Sequence, residues 1–171
     1  MCFASQFFTL RAMGKEGKMG RSRCAAASAL ELIGDRWSLL IVRAYIFGDC
    51  REYSNFLEIP EGISTNILAN RLTWLVEIDI LTKHGHPTNR KKFYYDITEK
   101  GLDLIPVIME LARWGWTHLP GMWTPLEIKR SFLNDREAFE SEWKLSVRAT
   151  TERYLQSAKS TVQNFPIHLN R

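Results

Sequence analysis

The spacing of apolar residues changes along the chain, and each change marks an element. Up to residue 22 no period is sustained. Charged residues and three glycines (Gly14, Gly17, Gly20) interrupt it, so residues 1–22 are expected to form a basic, flexible arm. From Cys24 the pattern turns helical. Ala25–Ile33 is alanine-rich, with Ala29, Leu30 and Ile33 on one face and Gly34 as its stop. Asp35 can cap the next run, Asp35–Phe47. There Trp37, Leu39, Leu40, Ile41, Val42, Ala44, Tyr45 and Ile46 leave almost no polar side, as in a helix at the centre of a core. A short helix at about Tyr53–Leu57 would point Phe56 and Leu57 inward, and Pro60-Glu61-Gly62 reads as a turn.

Ser64 is the expected N-cap of the following helix, with Ile63 stapled onto Leu68. Leu68, Leu72, Leu75 and Val76 face one way; Thr65, Asn66, Ala69, Asn70 and Thr73 face the other. That outer side is small and polar and carries no acid until Glu77. Two extended runs follow, Ile80–Lys83 and Phe93–Ile97, the second alternating Phe93, Tyr95 and Ile97 against Tyr94 and Asp96. They predict a β-hairpin around a His84–Lys92 loop. Thr98 then caps a helix with two apolar stripes, Leu102, Ile105, Met109, Ala112 and Trp116 beside Leu104, Ile108, Leu111 and Gly115. Pro106 is expected to kink it. Two stripes exceed the needs of one small core, so one face is expected to meet another chain. Pro120-Gly121 and Pro125 mark a break. From Leu126 the tail is again helical, with Asn134 or Asp135 capping a stretch that spaces Phe139, Trp143, Val147 and Tyr154 along one side; residues from Asn164 are expected to fray.

Composition fits one domain with additions: 171 residues, 45% of them hydrophobic. No apolar run suits a membrane span. The opening MCFASQFFTL lacks the basic leader of a signal peptide, and Met13 and Met19 offer internal starts. Three cysteines, Cys2, Cys24 and Cys50, form no C-x-x-C pair, which points to a reducing cytoplasm. The net charge of +4 equals the excess carried by Arg11, Lys15, Lys18, Arg21 and Arg23 over Glu16; the rest of the chain is balanced. Within that remainder, Thr82–Lys92 holds Lys83, Arg90, Lys91 and Lys92 and no acid. A basic arm and a basic loop suit a polyanion. No nucleophile elbow, phosphate-cradling glycine loop, zinc spacing or carboxylate pair appears, so neither an enzyme nor a cofactor is expected. His84 and His86 have no third ligand near them in sequence, so no metal site is expected.

Three helices, a turn, a fourth helix, a hairpin and a further helix form the order of a winged helix-turn-helix domain. The expected class is therefore mostly α with a small β-hairpin, plus an extra C-terminal helix. A helix that enters the major groove needs short side chains that carry no negative charge. Asn66 and Asn70, one turn apart, suit adenine edges; Thr65 and Thr73 suit phosphate or a thymine methyl; Arg71 suits phosphate or guanine. The amides at Ser64–Asn66 suit a phosphate. The tip Asn89-Arg90-Lys91-Lys92 can straddle the backbone and reach into the minor groove.

Several strings carry a resemblance. They are Cys24-Ala-Ala-Ala-Ser-Ala-Leu-Glu-Leu-Ile-Gly34-Asp-Arg-Trp37-Ser-Leu-Leu-Ile41, Arg51-Glu-Tyr-Ser-Asn-Phe56, and Pro60-Glu-Gly62-Ile-Ser-Thr-Asn-Ile-Leu68-Ala-Asn-Arg71-Leu72. Tyr95-Asp-Ile-Thr98-Glu-Lys-Gly101 and the stretch from Leu104 to Gly115 complete the set. From Cys24 to Trp116 the chain resembles the HxlR-type winged-helix transcriptional regulators, relatives of the MarR-like proteins. The resemblance implies a homodimer, joined through Ala25–Ile33 and Leu102–Trp116, that regulates transcription, as a repressor in the leading reading, by binding a palindromic operator in double-stranded DNA. It also implies that Ser64–Glu77 is the recognition helix. The wing departs from the family's proline-arginine tip, which leaves the minor-groove residue open between Arg90 and Lys92.

Cys24 matches the N-terminal cysteine that some relatives use to sense oxidants or electrophiles. That chemistry needs a thiolate, which a helix N-terminus and the adjacent Arg21 and Arg23 favour. Cys24 is thus a candidate redox sensor, against the plainer reading of a small residue in a dimer seam; Cys50 is the weaker candidate for its resolving partner. Trp37, Tyr45, Trp74, Trp114 and Trp116 raise a small-molecule effector pocket as a possibility, against ordinary packing. The expected organisation is an arm over 1–22, a DNA-binding and dimerisation domain over 23–120 and a helical extension over 121–171. The competing reading is a winged-helix dimer module that has lost DNA binding and acts through a protein partner.

Overall fold

The computed structural model of the chain describes residues 24–86, 89 and 91–163. The chain divides after Asp35, and helix α1 (Ala25–Ile33) is described by itself. Cys24 occupies its N-cap, the Gly34 amide closes its end on the Leu30 carbonyl, and none of its side chains is buried.

From Arg36 onward the elements pack around α2 (Arg36–Gly48). Its near-continuous apolar surface buries Ile41, Val42, Ala44, Tyr45 and Ile46, in keeping with a central helix. Phe56 of α3 (Tyr53–Leu57) and Leu68, Leu72 and Leu75 of α4 (Thr65–Glu77) complete that core. Each such side chain contributes roughly 1.5–3 kcal/mol by leaving water. The turn before α4 forms as expected: the Gly62 amide donates to the Ile59 carbonyl at 3.0 Å, and Gly62 has φ of +69°, open to a residue without Cβ. Ile63 and Leu68, the staple pair, are both buried.

The hairpin pairs β1 (Leu81–Gly85) with β2 (Phe93–Ile97) antiparallel, Leu81 opposite Ile97 and Gly85 opposite Phe93. β1 therefore runs two residues past the predicted end, because His84 stacks on Tyr94 across the ladder, ring centroids 5.0 Å apart. A bridge from Glu52 to Tyr94 lends β2 a second edge partner. Of the alternating set, Tyr95 is buried but Phe93 is exposed, its ring covered by the Lys83 ammonium at 4.0 Å.

Thr98 caps α5 (Glu99–Leu102) by accepting from the Gly101 amide at 3.0 Å, as expected. The predicted kink at Pro106 is corrected. The helix stops at Leu102 and restarts as α6 (Ile105–His118), with Pro106 in the first turn, where a missing N–H costs nothing. Of the two stripes, Leu102, Ile105 and Met109 of the first and Ile108 of the second point into this chain's own core, whereas Leu111 of the second is exposed, with Val107 and Trp114 also exposed on α6.

The tail forms α7 (Leu126–Asn134) and α8 (Arg136–Gln163). Asp135, rather than Asn134, provides the cap, its Oδ1 accepting from the Ala138 amide at 3.0 Å. Rings in edge or tilted contact run from Trp116 through Phe132, Phe139 and Trp143 to Phe47 of α2. Phe132 and Phe139 are almost wholly buried. Among the described residues three ion pairs also tie α8 down, Arg136 to Glu110 at 2.5 Å, Lys144 to Asp103 at 2.8 Å and Arg148 to Glu99 at 2.6 Å. Such exposed pairs are worth about 0–1 kcal/mol, so ring burial is what holds α8 in place.

Gly101 sits where α5 meets the hairpin base: an added Cβ would lie 2.5 Å from the Ile80 carbonyl oxygen and 2.5 Å from Ile97 Cγ1. Gly101→Ala is expected to cost about 1–3 kcal/mol of overpacking strain. The measurement is urea unfolding, in which the midpoint should fall at unchanged slope.

Candidate nucleic-acid interface

Helix α4 is held so that one side faces out. Leu68, Leu72 and Leu75 are buried, whereas Ser64, Thr65, Asn66, Ala69, Asn70 and Thr73 are exposed and Arg71 is half-exposed. Ser64 stands at the N-cap, as expected, though its side chain makes no capping bond. Two outside contacts fix this end of α4 instead. The Tyr53 hydroxyl donates to the Thr65 carbonyl at 2.8 Å. The Arg43 guanidinium of α2 grips Glu61 with both terminal nitrogens, at 2.7 and 2.9 Å. That fork spans the helix-turn-helix corner and sets the angle at which α4 leaves the turn. The hydrogen bonds from Arg43 hold the Glu61 carboxyl below its ordinary range. On the outer face the Thr73 hydroxyl is already committed to the Ala69 carbonyl at 2.9 Å.

Between α4 and the wing lies a groove of about 450 Å³. It is lined by Ala69 and Thr73 of α4, by Lys83, Lys91, Lys92, Phe93 and Tyr95 of the wing, and by Glu52, Tyr53 and Ser54, Glu52 being the one acid among these residues. Of the recognition-helix candidates the fold brings only Thr73 to this channel, opposite Lys91 and Lys92; Ser64, Thr65, Asn66, Asn70 and Arg71 do not line it. Asn89 shapes the tip: its side chain accepts from the Lys91 amide at 3.0 Å and its carbonyl from the Lys92 amide at 2.9 Å. Arg90 lies outside the described residues. Lys92 donates to Glu52 at 3.0 Å, which marks it as a brace of the wing base. Lys91 is exposed beside it.

Sequence reasoning missed two features here. Lys83 was counted only as charge, yet it lines the groove. Arg51, in a segment read only as a family string, is 2% exposed. Its guanidinium lies 3.9 Å from the centre of the Tyr45 ring and 3.0 Å from Asp49, while its backbone carbonyl accepts from the Tyr95 amide at 2.8 Å. No spacing rule singles out such a residue, because its partners come from three segments.

The sequence model of the HxlR-like helix-turn-helix family matches residues 32–122, just over half of the chain and the whole of the groove just described. The chain belongs to this family. Among its relatives, the HTH-type transcriptional regulator YodB of Bacillus subtilis is 34% identical over 97 residues, covering 56% of this chain and 86% of YodB. An uncharacterized HTH-type transcriptional regulator of Mycobacterium tuberculosis, Rv3095, is 38% identical over 92 residues, covering 54% of this chain; the match spans 57% of that protein's length. In three dimensions the crystal structure of PA1607 superposes with a TM-score of 0.55 at 31% identity, over 61% of this chain and 72% of that one. The HxlR-like region thus carries the winged helix, and the recognition-helix and wing candidates all fall inside it.

The remaining candidates are dispersed. Cys24 is exposed at the start of α1 and Cys50 is half-buried, where burial pushes its thiol up from the ordinary range; Cys2, Arg21 and Arg23 lie outside the described residues. His84 bonds to Thr82 at 2.8 Å, and His86 lies 3.6 Å from Glu52. Of the aromatic set, Tyr45 is in the core, Trp116 packs on Phe132, and Trp114 is exposed on α6. No helix among the described residues is long and apolar enough to cross a membrane.

Because the native Glu61 carboxyl titrates low, its fork with Arg43 is at full strength above the ordinary glutamate range. It is lost as pH falls through the depressed native value. Glu61→Gln is expected to cost about 0.5–1 kcal/mol at neutral pH and to remove part of the acid sensitivity. Thermal melts of both proteins from neutral to acid pH test this; parallel curves would refute it.

Proposed function

We propose that this HxlR-like chain is a sequence-specific, double-stranded-DNA-binding transcriptional regulator that acts as a homodimer on a palindromic operator, with repression by occlusion as its mode. The observation that carries the reading is the exposed, acid-free side of α4 beside a lysine-lined groove. Asn66 and Asn70 read adenine edges, and Thr65 and Arg71 hold the backbone. Ser64 presents the helix start to a phosphate, and Thr73 offers its methyl group, since its hydroxyl is bonded within the helix. Asn89, Arg90 and Lys91 carry the wing contact, with Lys92 bracing them through Glu52. Dimerisation uses Ala25–Ile33, none of whose side chains is buried, and Leu102–Trp116, in which Val107, Leu111 and Trp114 are about half exposed in the single chain. In this reading the reactive thiol is that of Cys24: two Cys24 thiols, one from each protomer, pass two electrons and two protons to an oxidant such as a hydroperoxide and join as a disulfide, which alters the spacing of the two heads. The protein works in the cytoplasm, and residues 121–171 add to a core reader.

Selection of duplexes from a random pool, with and without thiol reductant, tests the proposal. An inverted repeat with half-sites about one helical turn apart is the expected product; no enrichment in either condition overturns it. On the selected site, Asn66→Ala and Asn70→Ala should each cost about 1–3 kcal/mol and relax the preference at one base position. Lys91→Ala should weaken binding evenly across sequences and lower the salt slope by about 1. A Cys24→Ser protein should lose any difference between the two redox conditions.

A further inference from the structure

The match to the HxlR-like family ends at residue 122, yet α8 reaches back to the wing. Its inward side carries Val147, Thr151 and Tyr154, spaced four and three residues apart. Val147 is buried. The Thr151 hydroxyl lies 3.1 Å from the Tyr45 hydroxyl, which itself donates to Asp96 of β2 at 2.6 Å. Beyond them the Tyr154 ring packs on Tyr94 of β2 at 5.6 Å and edge-on to His86 at the end of β1 at 6.4 Å, and its hydroxyl points to Glu52 at 3.4 Å. Glu52 is where the wing base converges, since it also receives Lys92 at 3.0 Å and the His86 ring lies 3.6 Å from it. Burial, with the Glu52 charge, pushes the Tyr154 hydroxyl up to about 12, so it stays a donor.

We propose that α8 is a clamp on the wing, in which Tyr154 is a positioning residue that orders the β1–β2 hairpin through its ring contacts with Tyr94 and His86. A two-stranded hairpin is marginal on its own; here its inner face is held by the buried Leu81 and Tyr95, the latter edge-on to Phe56 of α3, and its backbone edge by the single bridge at Glu52. The extension supplies the third surface. The consequence for DNA, a wing pre-ordered for its phosphate contacts, rests on the function proposed above.

The test uses the full chain as wild type, Tyr154→Ala and Tyr154→Phe. Hydrogen exchange is followed at the amides of residues 81–97, with those of α4 as the internal reference. Affinity for a random-sequence duplex is measured at low salt in parallel. Tyr154→Ala should speed exchange in the hairpin about tenfold and leave α4 unchanged, while Tyr154→Phe, which keeps the ring, should behave as wild type. The dissociation constant of the alanine variant should rise about threefold. Unchanged hairpin exchange overturns the clamp, as does an equal rise in hairpin and α4, which would mean that Tyr154 merely stabilises the whole fold. Faster hairpin exchange with unaltered affinity overturns its role in DNA grip. If the wild type binds no duplex, the functional reading fails separately and the exchange data still decide the clamp.

Discussion

The hydrogen bond from the Tyr45 hydroxyl to Asp96 joins the three parts of the molecule, because it is made where they meet. Tyr45 belongs to the core helix, Asp96 to the wing and Thr151, within reach of both, to the added helix. The same carboxylate oxygen accepts from the Ile97 amide at 2.9 Å. The Tyr45 ring takes the Arg51 guanidinium on its face. A charged acceptor held by a buried hydroxyl is worth about 1.5–3 kcal/mol, and losing one partner would strand the others away from water. Burial raises the Tyr45 hydroxyl well above its ordinary range, so this donor is not lost at physiological pH. The angle between wing and core therefore depends on side chains from α2 and α8 as well as on backbone pairing.

Around that junction the basic residues divide into separate tasks. Arg51 is spent inside, Arg43 on the corner before α4, and Lys92 on Glu52. A cation in such a pair braces a loop; the exposed Lys91 at the tip is what a phosphate would meet. Net charge does not distinguish these tasks, whereas the geometry does. The exposed ion pairs on α8 follow the same logic, setting register along a helix whose attachment comes from the Trp116–Phe47 succession of rings.

Much of this was legible beforehand. The all-round apolar run of α2, the 3.6-residue period of α4, the turn at Pro60-Gly62, the alternation in Phe93–Ile97 and the caps at Thr98 and Asp135 are local. They depend on backbone preferences and on which residues avoid water, so a linear reading reaches them. It went astray where two local rules competed. Pro106 read as a kink inside one helix, and the chain resolved the conflict by stopping at Leu102 and starting again. Of the two apolar stripes, Leu102, Ile105 and Met109 of the first and Ile108 of the second went into this chain's core, while Leu111 stayed exposed.

What the linear order dictated on its own was the set of elements, the polar outer side of α4 and the membership that these strings announce, since each arises from neighbours within a turn or two. The partners of Glu52, the burial of Arg51, the groove that sets Thr73 against Lys83 and Lys91, and the reach of Tyr154 to the wing were settled only on folding. Each joins residues from separate segments, and no period along the chain records which side chains the closed core will bring within 4 Å of one another.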